Sequence, residues 1–344
     1  MEGKMKAAFL REFHRGLSIE ETDIPKPGPD EVLIKVMASG LCASDLHIID
    51  GILPTVKPNY IPGHEMAGIV WELGENVTDL KVGQHMVAAI DVLCGRCRFC
   101  RTGQTHLCKE LVRIGFERNG SHEEYCVIPR DNVFPIDESI PFEQAAIIPD
   151  AVVCMYHAIK DKGQVTAGDR VLILGVGGLG LQGIQIAKYF GAEVYATSRQ
   201  DKKLEIAKQF GADVVINTAK CDLEEEIMKI TDGEQCDVIF DNIGIKSSIE
   251  SCLRILRPGG KIVVVGYNDP TMEANYQQIV IKEKEIIGIR GSSRQNLVEA
   301  IRLVEKGIVK PYIYKTYKLE EINEALDQLR SGASLGRTVV VFDK

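Results

Sequence analysis

The sequence has no excess of basic residues, no Lys/Arg block and no long apolar run. Its 41 Lys and Arg stand against 49 Asp and Glu, a formal net charge of −8 over 344 residues. That balance argues against a nucleic-acid or anionic-membrane surface. No apolar stretch approaches the roughly 18 residues that a membrane-spanning helix requires. The first residues, Met1-Glu2-Gly3-Lys4-Met5-Lys6, lead into a strand-like segment without the apolar core of a secretory signal. Internal repeats and low-complexity tracts are absent too. These absences predict a soluble, cytoplasmic protein. Hydrophobic residues at 45% and charged residues at 26% are ordinary globular values. At roughly 150 residues per domain, the length suggests about two domains.

Ten cysteines are too few for a disulfide scaffold of this size, but they are unevenly placed. Cys94, Cys97, Cys100 and Cys108 fall within one short segment, while Cys42 stands alone upstream. In a cytosolic chain such a cluster reads as metal ligation. Around it the sequence is β-rich, with short strands expected at 6–9, 31–37 and 68–73 between Pro- and Gly-containing turns. Near Ala145 the texture changes. Strands are expected at 170–174, 194–196, 214–216, 238–240 and 261–265, with helices at 181–189, 202–210 and 248–256. The apolar runs within these strands, rather than period-2 alternation, imply a parallel sheet covered on both faces. A helix at 296–305 and a strand at 338–342 close the chain.

Between the strand at 170–174 and its following helix lies Gly175-Val176-Gly177-Gly178-Leu179-Gly180. In this context the G-x-G-x-x-G pattern is a dinucleotide-binding turn. One glycine makes the bend, one lets the backbone approach a pyrophosphate and one packs helix on strand, while the helix N-terminus offers N–H groups. NAD-binding chains place Asp or Glu at the end of the second strand. Here that place, 18 residues past Gly180, holds Ser198, followed by Arg199 and, at the helix start, Lys203. Hydroxyl and basic groups suit a 2′-phosphate, which a carboxylate would repel. NADP is therefore favoured over NAD.

Four thiolates at Cys94, Cys97, Cys100 and Cys108 suit a closed, tetrahedral, structural zinc site; an iron–sulfur cluster is the rival reading. A second constellation is dispersed. Cys42-Ala43-Ser44-Asp45-Leu46-His47 and Gly63-His64-Glu65 occur in the same β-rich region. Three protein ligands plus an open fourth position is the geometry of a catalytic zinc, and this thiol, His-Glu pair and second histidine offer candidates for it.

These motifs, in this order and together with Arg257-Pro258-Gly259-Gly260-Lys261 and Gly336-Arg337-Thr338-Val339, resemble the zinc-dependent medium-chain alcohol dehydrogenases over nearly the whole length. The resemblance implies an α/β fold. A doubly wound Rossmann domain at 155–289 would be inserted into a β-rich, GroES-like catalytic domain formed by 1–154 and 290–344. It implies catalytic zinc ligation by Cys42 and His64, with Glu65 as a close or exchangeable ligand. The third fixed ligand falls on Asp150, six residues before Tyr156, and Cys154 becomes a residue lining the nicotinamide. An acidic residue there resembles the microbial NADP-linked secondary-alcohol branch and the threonine and polyol dehydrogenases. Arg337 would contact the cofactor pyrophosphate, and Tyr60 and Phe116 would line the substrate pocket. Microbial members suggest a homotetramer.

The implied reaction transfers a hydride between an alcohol, secondary favoured, and NADP(H), giving a ketone or aldehyde. Ser44 and His47 would relay the proton, with Asp45 orienting their segment. The competing readings are a polyol, sugar or L-threonine dehydrogenase using NAD, and, from another class, a zinc-free quinone reductase or a non-catalytic cofactor-binding protein. Two departures stand out. The family's Gly-Asp is Gly83-Gln84-His85 here, and its aromatic-Ala-Glu-Tyr segment reads His122-Glu123-Glu124-Tyr125. The first of these, like His106 and His157, is read as ordinary, whereas His122 is expected to alter local packing.

Overall fold

The computed structural model describes residues 3–268, 271–272 and 274–343. They divide into two units. The first takes the chain up to Val153, Ser292–Gly307 and the chain from Pro311 on; the second takes Cys154–Gly291 and Ile308–Lys310.

The first unit is built on the strand Glu31–Leu41, which runs well past the 31–37 expected from its pattern. Val32, Ile34 and Val36 turn one face into a core with Met66, Val70, Met86, Cys126 and Ile128. Ser39 and Gly40 look like turn residues, yet they continue the strand because both neighbours hold them. Gly40 pairs with Val339 on one side and Glu65 on the other. Around this spine a sheet forms in the order Ile313–Tyr317, Arg337–Val341, Glu31–Leu41, Glu65–Leu73, His85–Ala88 and Val133–Pro135. Tyr125–Pro129 adds to the start of the spine. Leu41 leads into a second core, where Ile48 and Ile49 from the helix Ala43–Ile49 meet Tyr60, Phe116, Ile322 and Val340. The last strand thus returns to the middle of the sheet begun near the N-terminus.

The second unit is a six-stranded parallel sheet ordered Val214–Asn217, Glu193–Ser198, Arg170–Leu174, Cys236–Asp241, Leu256–Val264 and Glu285–Gly288. Numbered along the chain this is 3-2-1-4-5-6, the order of a doubly wound dinucleotide fold. The helices Gly180–Tyr189, Asp201–Gln209, Leu223–Ile230 and Lys246–Ile255 connect its strands. Leu172, Tyr195, Ile239, Leu253 and Ile262 form the core between them. Elements outside the pattern read from sequence include a helix and a strand of this unit. Leu223–Ile230 is a helix started by Asp222, whose carboxylate accepts the Glu225 N–H at 3.0 Å. Glu285–Gly288 is a sixth strand, its short Ile286-Ile287 run concealed in the sequence by the charges of Lys282, Glu283, Lys284 and Glu285. No helix among the described residues is long and apolar enough to cross a membrane.

Glu123 forms an isolated bridge to Ala7 of the strand Lys4–Phe9 in the first unit, and is only 2% exposed. Burial pushes its carboxyl up from the ordinary 4.5 to about 8. The folded protein therefore keeps a proton that the unfolded chain has lost. Stability from this group is fully present below pH 4.5, falls as pH rises, and is gone once pH passes about 8. Glu123→Gln, neutral at every pH, is expected to flatten the decline in melting temperature between pH 5 and 8 and to melt above the wild type at pH 8. An unchanged slope in thermal denaturation would count against this assignment.

Candidate active site

The site grows from the end of the spine strand. Cys42 follows Leu41 and starts the helix Ala43–Ile49; its N–H donates to Asp45 Oδ2 at 2.7 Å, so the helix's own third residue fixes the thiol's backbone. Opposite, His64 and Glu65 open the neighbouring strand Glu65–Leu73. Gly40 is a glycine because a Cβ there would collide with the Glu65 carboxylate. Asp150 comes from a π-helical turn, Ile148–Val152. Such turns widen the helix and re-aim a side chain, and they occur often at functional sites.

These elements bring Cys42 Sγ, an imidazole nitrogen of His64 and one carboxylate oxygen each of Glu65 and Asp150 within 4.8 Å of one another. All four of these residues had been singled out from sequence. Cys42, His64 and Glu65 are buried and the Asp150 side chain is 19% exposed. A thiolate, an imidazole and carboxylates are zinc donors, and a tetrahedral zinc with bonds of about 2.0–2.3 Å needs them only slightly closer. His64 turns Nδ1 toward Asp45 Oδ1 at 3.5 Å and Nε2 toward Asp150 Oδ2 at 4.0 Å. A ligand histidine is oriented in this way, with its other nitrogen facing a carboxylate. The donor set fits a metal ion.

Arg337 supplies what sequence reasoning missed. Its guanidinium, 6% exposed, donates from Nε to Glu65 Oε2 at 3.2 Å and from Nη2 to both Glu65 Oε1 and Asp150 Oδ2. Expected beside a pyrophosphate, it lies in the first unit against the metal-site carboxylates. Burial pushes the Glu65 carboxyl well above its ordinary value against the pull of Arg337. Asp150 is partly buried, and the same guanidinium holds it below the usual range. Asp45 is 1% exposed, and the imidazoles of His64 and His122 outweigh its burial to hold it far below the carboxylate range.

Ser44 and His47 share the helix Ala43–Ile49 three residues apart, on one face, with Ser44 Oγ 3.7 Å from Cys42 Sγ. Phe116 lies against the His64 ring, centroids 4.9 Å apart, and Tyr60 donates its hydroxyl proton to Gly115 O at 3.2 Å. Of the histidines left aside, His85 stacks on Phe142 and His157 pairs with Asp161 at 2.8 Å.

In the second unit Gly175 has φ +91°, which a residue with a side chain adopts only under strain. A Cβ on Gly177 would meet nothing within 4 Å. Protein packing thus leaves space at Gly177, the position where a pyrophosphate approaches the backbone. Gly178 and Leu179 complete the turn into the helix Gly180–Tyr189. Thr197 ties the turn to the second strand, its Oγ1 accepting the Gly175 N–H at 3.2 Å. Ser198 ends that strand, Arg199 is exposed, and Lys203 is half-buried on the next helix. Cys154 is buried at the start of this unit.

The second cluster, Cys94, Cys97, Cys100 and Cys108, also has its sulfurs within 4.8 Å of one another. Cys97 begins the short helix Arg98–Arg101, and its Sγ lies 3.6 Å from that of Cys100. Backbone N–H groups around it hold the Cys97 thiol at about 6, whereas Cys100 is pushed up to about 12. Four thiols and no open position describe a structural zinc site. Exhaustive chelation is expected to remove about two zinc ions per chain and to lower the melting temperature. Cys100→Ser should reduce the metal content to about one, the remaining ion being the one at Cys42 and His64. Elemental analysis with thermal denaturation checks both; two ions retained in the variant would overturn the assignment.

Residues 28–138 match the alcohol dehydrogenase GroES-like domain and residues 178–306 the zinc-binding dehydrogenase domain. An alcohol dehydrogenase of Geobacillus stearothermophilus is 36% identical over 98% of this chain and 100% of its own length. An L-threonine 3-dehydrogenase of Pyrococcus horikoshii is 35% identical over 99% of this chain and all of its own. Among solved structures, acetophenone reductase from Geotrichum candidum in complex with NAD superposes with a TM-score of 0.90, at 31% identity over 98% of this chain and 97% of that one. Similarity of this extent, over both units and both cysteine-containing motifs, makes the chain a member of the zinc-dependent medium-chain alcohol dehydrogenase family.

Proposed function

We propose that this oxidoreductase is a zinc-dependent alcohol dehydrogenase that interconverts a secondary alcohol and its ketone with NADP(H). The Cys42–His64–Glu65–Asp150 cluster carries the reaction class. Cys42, His64 and Asp150 would hold the catalytic zinc. Glu65, gripped at both oxygens by Arg337, would be the exchangeable neighbour. The lobe of Cys94, Cys97, Cys100 and Cys108 would hold the structural ion. When bound, zinc supplies Lewis acidity that lowers the pKa of an alcohol hydroxyl, and the nicotinamide takes the hydride. Ser44 Oγ passes the released proton toward His47, whose ordinary pKa suits exchange with solvent near neutrality. Phe116 covers one face of His64 and helps keep water from it.

On the coenzyme side, Gly175, Gly177, Gly178, Leu179 and Gly180 would receive the pyrophosphate at the helix N-terminus. The strand end offers Ser198 Oγ and the exposed Arg199 in place of a carboxylate, and Lys203 stands on the next helix. The nearest acid along the chain, Asp201, is bound to Lys220 at 2.7 Å and Asn217 at 2.6 Å. These groups support NADP, although the acetophenone reductase neighbour is described with NAD. That neighbour's name also supports a ketone as substrate. The threonine dehydrogenase relative supports a second reading, an NAD-linked amino-alcohol oxidation on the same metal site. A homotetramer in the cytoplasm, as the family resemblance implies, is part of the same proposal.

Initial rates with NADP+ and NAD+ across secondary alcohols, primary alcohols, polyols and threonine test this. The expected result is fastest turnover with NADP+ and a secondary alcohol. Arg199→Ala should raise KM for NADP+ by roughly 10-fold or more and leave KM for NAD+ unchanged, since it removes a charge-assisted hydrogen bond to the 2′-phosphate alone. Preferred turnover of threonine with NAD+ would overturn the cofactor and substrate and leave the zinc chemistry standing.

A further inference from the structure

His122 occupies a place where the family resemblance carries an aromatic residue, and it is fully buried beside the metal site. Backbone hydrogen bonds fix its position against the segment that presents His64. The His122 N–H donates to Pro62 O at 3.0 Å and the Ser121 N–H to Gly63 O at 2.8 Å. Gly63, at φ +100°, leaves room for the ring; a Cβ there would meet His122 Nδ1 at 2.6 Å.

The ring's two nitrogens face different groups. Nδ1 lies 2.9 Å from Ser39 Oγ, which is itself 2.5 Å from Ser121 Oγ. Nε2 faces Asp45 Oδ1 at 3.6 Å, and the same oxygen faces His64 Nδ1 at 3.5 Å. Ser39, Asp45, His64, Ser121 and His122 are each at most 2% exposed. Asp45 Oδ1, His64 Nδ1 and His122 Nε2 have no hydrogen-bond partner elsewhere among the described residues, so three buried polar atoms have only one another. Asp45 Oδ2 is already engaged by the Cys42 N–H. An ionised carboxylate only accepts, so the nitrogens that face it carry the protons. His122 Nδ1 is then an acceptor for Ser39, and His64 Nε2 keeps its lone pair for the metal.

We infer that His122 is a positioning residue for the metal ligand His64, acting through the carboxylate oxygen of Asp45 that the two imidazoles share. This rests on the reading of Cys42, His64 and Asp150 as the catalytic zinc site. With both rings beside it, Asp45 is held on each side. Without His122 its Oδ1 is free to turn from His64, and the ligand loses its orientation. Partners of this kind change metal affinity by about 10–100-fold.

The test is titration of metal-stripped protein with Co2+ in competition with a chelator, following the visible band of the one-thiolate site apart from that of the four-thiolate lobe. His122→Phe keeps an aromatic ring and removes the donor. It should weaken Co2+ at the one-thiolate site by about 10–100-fold and leave the lobe unchanged. His122→Gln restores a donor at the reach of Nε2 and should recover most of that loss. Ser39→Ala leaves the ring in place but frees its tautomer; it should weaken the same site several-fold and serves if His122→Phe does not fold. Wild-type affinity in His122→Phe or in Ser39→Ala, or equal loss in the Phe and Gln variants, would overturn the role. A wild type that takes up Co2+ only at the lobe removes the metal-site reading itself. Two wild-type sites with unaffected variants remove only the role of His122.

Discussion

Two ionised carboxylates held side by side repel, and the pairing of Arg337 with Glu65 and Asp150 offsets that repulsion. The rest of the first unit is arranged to allow it. Glu65 reaches the guanidinium because Gly40, its partner on the neighbouring strand, has no side chain. Arg337 begins a strand that lies against the same spine, and Asp150 is aimed inward by a π-helical turn. Removing Arg337 would leave the two carboxylates together without their cation in a largely buried place, where an uncompensated charge costs about 3–5 kcal/mol. Sheet order and site chemistry are consequences of one electrostatic requirement.

What the sequence disclosed was local. The cysteine spacing from Cys94 to Cys108 and the glycine turn from Gly175 to Gly180 carry their chemistry within a few residues, so each could be read before any fold was known. The alternation of strands and helices after Ala145 was legible for the same reason. Contacts across the chain left no such trace. Nothing near Arg337 marks it as the partner of a glutamate 272 residues away. Asp45 looked like a neighbour of the proton relay, and only the fold shows both imidazoles turned to it. The extension of the spine through Ser39 and Gly40 was hidden because small polar residues in a strand resemble a turn until their pairing partners are in place.

The relatives illustrate a further division. Alcohol, threonine and acyl-coenzyme A substrates appear in the names of proteins that align with nearly all of this chain. Proteins of similar length and sequence thus carry names that point to different substrates. Residues such as Ser198, Arg199, His122 and Glu123 are where this sequence speaks for itself.

The distance along the chain between Glu65 and Arg337 also has a consequence for how the protein is made. Cys42, His64 and Asp150 leave the ribosome early, but the guanidinium that makes their burial tolerable comes 272 residues after Glu65. At about 5–20 residues per second, that interval is roughly half a minute. During it the nascent chain carries a thiol, an imidazole and two acids with no internal cation among them, and the central sheet lacks the strand Arg337–Val341. The carboxylate pairing therefore waits on the strand Arg337–Val341, even though Cys42, His64 and Glu65 are made long before it.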